Sequence, residues 1–477
     1  MSSGQSSSGT FQNPGDFRGA VLFQGSTVHL GPGPPGFRSN IPSRRNLPFV
    51  GRDGLLESIR ASLADPSSGR VVVLHGPPGV GKSELAREYA RRSRETYTGG
   101  TFIVEAGKRA IVVDLARLGQ TLLGLDYPAG MGLEDQCLRA LSALGAAPRL
   151  LIYDNVQTED AVVPWLPPSG VPCDVLMTTT LDRWDCEWMA LEIPPLSPAD
   201  STDLIECIAG KEVSARFGTQ LTQLAGGLPV QIVPAAAALA YERKRGRLES
   251  AALTIARETQ ESFLGVYRQL ETSSQLLLHA GARLNPQRIR RDELENHLAQ
   301  AVGWDSNEFR RSLDACLDLH VLQDGEELRM HQLFAAFLLD MSIPEDLRTG
   351  LKQIAQVQAR RVTELASELA AHPTRADLAA ALLTFPLDPQ QWADSGVEIS
   401  ILDGETIGRA LYEIGSFLTS RPWYERAVAQ KEQGDVHGRV DHASLATSLR
   451  AVAHCLSQLG RGDDAKPWLI RAAQLRY

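Results

Sequence analysis

The feature that most restricts this chain is the octet Gly76-Pro77-Pro78-Gly79-Val80-Gly81-Lys82-Ser83, a complete GxxxxGK[ST] spacing. The apolar run Val71-Val72-Val73-Leu74 precedes it, and Glu84-Leu85-Ala86-Arg87-Glu88-Tyr89-Ala90, a good helix former, follows. Strand, glycine loop and helix in that order let main-chain N–H groups converge on phosphate oxygens without side-chain clash. The helix N-terminus adds partial positive charge at the same point. Lys82 is expected to reach the β- and γ-phosphates of ATP or ADP, and the Ser83 hydroxyl to ligate Mg²⁺. Pro78, Gly79, Val80, Gly81 and Glu84 complete the expected contact set.

A phosphate loop needs a carboxylate on a neighbouring strand to complete the metal shell. Arg149-Leu150-Leu151-Ile152-Tyr153-Asp154-Asn155 is an apolar strand ending in one. Asp154 is therefore the second expected Mg²⁺ residue, and Lys82, Asp154 and Asn155 form the expected catalytic set. An amide at 155 orients water but cannot accept its proton, which predicts slow hydrolysis to ADP and phosphate.

The chain's 477 residues predict two to four domains. Residues 1–47 form a Gly/Pro/Ser-rich leader with a hairpin pattern, strands at 20–24 and 27–30 around Gly25-Ser26. Residues 48–195 alternate apolar runs (71–74, 101–104, 150–153, 175–177) with helical stretches, which predicts an α/β domain on a parallel sheet. Helical periodicity dominates beyond: residues 196–260, then 261–343 with a wing-like segment near 321–329, then 344–400 as linker or degenerate repeats. Within 401–477, residues 410–418 align with 451–459, and 424–428 with 469–473. A period in the low forties predicts tetratricopeptide-like (TPR-like) helical hairpins, an α-solenoid.

Flanking landmarks sharpen the picture. Leu47-Pro48-Phe49-Val50-Gly51-Arg52, Leu176-Met177-Thr178-Thr179-Thr180, Gly226-Gly227-Leu228-Pro229-Val230 and Met330-His331-Gln332 fall in order along the chain. Together with the phosphate loop, this order resembles the NB-ARC/STAND NTPases. The resemblance implies that Val50, Gly51 and Arg52 lie against adenine and ribose, that Pro229 packs on adenine, and that His331 touches the ADP β-phosphate from a winged-helix domain. Thr179 is then the sensor position. The family's arginine is replaced by Thr180, with Arg183 as the candidate substitute, and Gln332 replaces the family's final aspartate. The implied mechanism is a conformational switch that is closed with ADP and opens on exchange for ATP. A protein or peptide bound at the repeats would trigger it, and the ATP form would self-associate. Shifting such an equilibrium from 1:99 to 99:1 takes about 5.5 kcal/mol of differential binding.

The net charge of −9 argues against a chain whose whole surface grips nucleic acid or anionic membrane. Basic clusters at Arg243, Lys244, Arg245 and Arg247, and at Arg288, Arg290 and Arg291, keep open an origin-recognition-like AAA+ ATPase that binds DNA. A permanently ADP-bound, non-hydrolysing repeat scaffold is the third reading. The six cysteines (Cys137, Cys173, Cys186, Cys207, Cys316, Cys455) have no metal-ligand spacing and fit a reducing cytoplasm. No apolar run reaches the roughly 18 residues needed to span a bilayer. No Ser/His/Asp or Cys/His constellation points to a second chemistry.

Overall fold

A computed structural model of the chain describes residues 20–23, 26–29, 36–43, 47–65, 70–106, 110–168, 170–181, 184, 188–246, 262–325, 327–434 and 438–475. Strands β1 (Ala20–Phe23) and β2 (Ser26–His29) pair antiparallel with Phe23 opposite Ser26. Ser26, expected in the turn with Gly25, is thus part of β2, and residues 24 and 25 lie outside the described residues.

Five parallel strands form the main sheet: β3 (Val71–His75), β4 (Gly100–Glu105), β5 (Arg149–Val156), β6 (Cys173–Thr179) and β7 (Met189–Glu192), in the order β4-β5-β6-β3-β7. Side-chain alternation sorts the two faces. Val71, Val73, Leu151, Tyr153, Val175 and Met177 join a core with Leu115 and Leu141 of the helices Ala110–Thr121 and Leu133–Ala143. Val72, Leu74, Leu150, Ile152 and Leu176 pack on Ile59, Leu85 and Tyr89 from the helices Asp53–Ala64 and Lys82–Arg92. Helices on both faces explain why these strands read as unbroken apolar runs. The exposed edge strand β7 has no such run, and the sequence did not announce it. The α/β unit also begins earlier than residue 48. Phe37 and Ile41 are buried, Ser39 bridges in parallel to Thr101, and the Asn40 amide exchanges hydrogen bonds with the backbone of Ile103 (2.7 and 2.9 Å).

The described residues from Leu196 to Trp423 are mostly helical and share one apolar cluster, which Val113, Ala116 and Leu133 of the α/β part also join. The boundaries expected at 260, 343 and 400 fall within it. A small hairpin, β8 (Leu322–Gln323) with β9 (Arg329–Met330), sits beside an Ile289–Leu328 bridge. The long helix Glu345–Ala371 contributes Leu347, Leu351, Ile354, Gln358, Val362, Leu365 and Leu369, spaced three or four apart along one buried stripe. The helices Ile401–Glu413, Phe417–Glu432, His442–Gln458 and Gly462–Gln474 then pack each against the next. Trp423 ties this stack to the rest: its ring is buried, and its indole N–H donates to the Leu387 carbonyl (2.7 Å). Among the described residues no helix is long and apolar enough to cross a membrane.

Candidate functional site

The loop leaving β3 is shaped by close backbone approach. Gly79 has φ +79°, and a Cβ there would run into the Val230 side chain. At Gly76, a Cβ would stand 2.7 Å from the Ile193 carbonyl oxygen. Gly81 caps the helix Lys82–Arg92. Lys82 arches back over the loop, its Nζ donating to the carbonyls of Gly76 (2.8 Å) and Pro77 (3.0 Å). Burial lowers its pKa, while Asp154 acts to raise it.

Asp154 gathers the metal-side groups. The hydroxyls of Ser83 and Thr178 each donate to its Oδ1 (2.6 Å), and the Arg87 guanidinium pairs with Oδ2 (2.9 Å) while also holding Glu84 (3.1 Å). Asn155 follows in a left-handed conformation (φ 66°), where the register of β5 against β6 shifts, and its N–H donates to Thr178 Oγ1 (2.8 Å). Asparagine tolerates this backbone better than most residues. Among the described residues there is no metal-holding group of three or more His, Cys, Asp or Glu. Ser83, Asp154 and Thr178 instead supply the few hard oxygens that suit Mg²⁺ arriving with a polyphosphate.

Helical residues cover the loop. The Arg52 guanidinium donates to the Val80 carbonyl (2.7 Å) and the Pro194 carbonyl (3.2 Å), and burial lowers its pKa. Pro229 opens the helix Pro229–Lys244 and stands beside Gly81. The next N–H, of Val230, points at the Gly79 carbonyl (3.4 Å). His331 caps the helix Gln332–Asp340, its Nδ1 accepting from the Leu333 N–H (3.2 Å). Burial, and then the Lys82 charge, bring its pKa down to about 4. On the far side of Asp154, Arg288 pairs with Asp114 and Glu105, and Asn285 donates to Glu105 (3.0 Å). Between these groups and Arg329 lies a cavity of about 980 Å³, lined in part by Arg87, Asp154 and Asn155.

A glycine loop, a hydroxyl–carboxylate pair and a helical cover are the parts of a nucleotide site, and residues 48–399 match the AAA ATPase domain family. The chain belongs to that family. Membership implies nucleotide binding. No curated protein matches the chain. Its structure is similar to a Signal Transduction ATPase with Numerous Domains (STAND) protein with a tetratricopeptide repeat sensor from Pyrococcus horikoshii, at 15% identity and TM-score 0.46, covering 91% of this chain and 65% of that one. It is also similar to a Walker-type ATPase of Pyrococcus abyssi (11%, TM-score 0.32, 61% of this chain and 96% of that one). A third is Cdc6p from Pyrobaculum aerophilum (13%, TM-score 0.34, 63% and 95%).

In this AAA ATPase domain the structure brings together Arg52, Pro78, Gly79, Val80, Gly81, Lys82, Ser83, Glu84, Asp154, Asn155, Pro229 and His331, with Val50 and Gly51 leading into Arg52. The Thr179 hydroxyl turns away, donating to the Val156 carbonyl (2.7 Å). The β6 hydroxyl on the carboxylate is that of Thr178. Because β6 lies between β3 and β5, alternation alone decides which threonine faces Asp154. Thr180 is exposed, and Arg183 lies outside the described residues. Arg87 was findable, since it lies four residues after Ser83 on one helix face. Arg288, Asp114 and Glu105 carried no local signal, because they meet only through tertiary packing.

Proposed function

We propose that this AAA ATPase domain protein is a STAND-type, NB-ARC-like signalling switch gated by ADP and ATP. The observation that carries this reading is that residues about 250 positions beyond the phosphate loop, His331 and Leu333, come back over Lys82 and Gly79. Both are exposed themselves, but the helix they begin, Gln332–Asp340, puts Phe334, Ala335 and Leu338 into the apolar core that reaches Trp423. A nucleotide held by Lys82, Ser83 and Asp154 would therefore bias whether that whole module stays closed. A ligand bound to the module would bias nucleotide affinity by the same amount, since coupling is reciprocal. The β8–β9 unit would act as a structural winged helix. The helices from Ile401 to Gln474 would act as a TPR-like sensor for a protein or peptide, and the opened ATP form would self-associate.

Mg²⁺ in this site would neutralise charge on the phosphates. Asn155 can position a water but cannot take its proton, so turnover would be slow. The basic cluster favours the switch over a DNA-binding ATPase, because Arg288 pairs with Asp114, Arg290 with Asp292 (2.8 Å) and Arg291 with Asp324. The test is light-scattering mass of the full chain with ADP against a non-hydrolysable ATP analogue. A larger species is expected with the analogue alone and is lost in Lys82→Ala. A mass that ignores the nucleotide ends the assembling-switch reading.

A further inference from the structure

Both oxygens of the Asp154 carboxylate are engaged from within the α/β unit. Ser83 and Thr178 each donate a hydroxyl hydrogen to Oδ1 (2.6 Å), and the Arg87 guanidinium holds Oδ2 (2.9 Å). The two hydroxyls are compatible with Mg²⁺, because a donated hydrogen leaves the lone pairs of the Ser83 oxygen free for a cation. The guanidinium is not. It is a permanent positive charge on the same carboxylate that a divalent ion would use. The Arg87 and Asp154 side chains are only 7% and 10% exposed, so solvent does little to screen one cation from the other.

Arg87 reaches Asp154 because it lies four residues after Ser83 on the same face of the helix Lys82–Arg92. It has a second acid on that helix, Glu84, three residues back (3.1 Å). Among the described residues its Nε is buried without a hydrogen-bond partner, so the fork is held by its two outer nitrogens alone. It also borders the cavity of about 980 Å³. Leaving Oδ2 would cost Arg87 one ion pair and keep the other, with space beside it to move into.

We propose that Arg87 is a built-in rival of Mg²⁺ for Asp154. The guanidinium and the metal compete for one carboxylate, directly or through a water, and the metal is held loosely because it must first move the fork off Oδ2. The inference rests on the nucleotide-switch reading and deepens it, by setting how much of the grip on a nucleotide comes from the metal. Arg87 is a positioning residue in this scheme: it acts on the metal through Asp154 and needs no contact with the nucleotide.

The test measures the affinity of the full chain for ADP and for a non-hydrolysable ATP analogue, each in Mg²⁺ and in EDTA. Arg87→Gln removes the charge and keeps a hydrogen-bond donor for Asp154. It is expected to bind either nucleotide about 10- to 100-fold more tightly than wild type in Mg²⁺, as when a like charge is withdrawn from a partly buried ion, and within about threefold of wild type in EDTA. Arg87→Lys carries its charge on a flexible point that cannot fork between two acids, so it should fall between the two; it decides the matter if Arg87→Gln does not fold. Melting without nucleotide gives a second reading. Arg87→Gln should melt below wild type in EDTA, because Asp154 has lost its cation, and Mg²⁺ should raise its melting point more than that of wild type. A structural strut would lower melting with no recovery in metal and no tighter binding. Unchanged or weaker binding in Mg²⁺ by the folded variants overturns the proposal and leaves the switch reading intact. So does a loss confined to EDTA, which would make Arg87 a phosphate contact. A wild-type chain that binds neither nucleotide overturns both.

Discussion

Two carboxylates stand opposite one another in the register of β4 and β5, Glu105 beside Asp154 at the same end of the sheet. Their surroundings differ in kind. Asp154 is served from within the α/β unit, by Ser83, Arg87 and Thr178. Glu105 is served from outside it, by Arg288 and Asn285 of the helical module, with Asp114 sharing the same arginine. One strand further out, a carboxylate changes from a chemical group into a docking group. The difference teaches that nucleotide chemistry and domain closure are handled by adjacent positions of one row, about a strand spacing of 4.8 Å apart. A disturbance at one has only a short way to travel to the other.

Removing the inner group is expected to have the largest effect. Asp154→Ala deletes the metal carboxylate and leaves Arg87 buried with Glu84 alone. Hydrolysis should fall by at least about 100-fold, as when a site loses a main electrostatic element. Lys82→Ala should do the same to nucleotide binding without lowering the apo melting point, since it frees only the Gly76 and Pro77 carbonyls. Hydrolysis that survives Asp154→Ala would erase the contrast between the two acids.

Next comes the outer station. Arg288→Ala strands Glu105 and Asp114, both largely buried, without their cation, and breaking such a group typically destabilises by about 3–5 kcal/mol. Denaturant titration should show the loss, and the release of a fluorescent ADP should quicken as the module opens more often. If stability falls while ADP release stays constant, the outer station is a structural clamp with no part in gating.

These stations were unequally legible in the sequence. Gly76 to Ser83 and Asp154 announced themselves because the chemistry is local: a loop and a strand end carry it, and their spacing is fixed by the backbone. Pro229 and His331 emerged only from the order of motifs along the chain. The roles of Thr178 and Glu105 stayed hidden, and Arg288 showed only as one of a basic cluster, since each acquires its role from a neighbour far away in sequence. Strand order places Thr178 on Asp154, and helical packing brings Arg288 from 174 positions beyond Asp114. How the helical regions share one apolar cluster was hidden for a related reason. Helical periodicity shows where helices stop, whereas the shared apolar cluster from Leu196 to Trp423 depends on which stripes meet.

Acidity probes the helical module independently. His279 and His297 are buried, and burial depresses each pKa to about 4 from the ordinary 6.5 of an imidazole. Their neutral forms fit the fold, so the stability they support is complete above pH 6.5 and is lost as pH falls toward about 4. Each contributes a slope of up to ~1.4 kcal/mol per pH unit inside that window. Among the described residues His297 Nδ1 is buried without a hydrogen-bond partner, so His297→Leu should flatten the slope more safely than a change at His279, which is within hydrogen-bond distance of the Tyr267 hydroxyl (3.0 Å). An unchanged slope in His297→Leu would show that the module opens around that ring before it protonates.

The smallest effect separates the two acids by sign. Burial, outweighing the attraction of Arg288, raises the pKa of Glu105 in the folded chain. A carboxyl shifted upward favours folding when protonated. Its contribution is therefore full below the ordinary carboxylate value of 4.5 and is lost as pH rises through the folded-state pKa. Glu105→Gln keeps the shape and the hydrogen-bonding capacity toward Asn285 but cannot ionise. It should match wild type in acid and become the more stable protein as pH climbs toward neutrality, read from urea midpoints at several pH values. If Glu105→Gln is instead less stable at neutral pH, the Arg288 ion pair outweighs desolvation. Glu105 would then be held as tightly by the helical module as Asp154 is held by its own domain, and the asymmetry between the two strand ends would disappear.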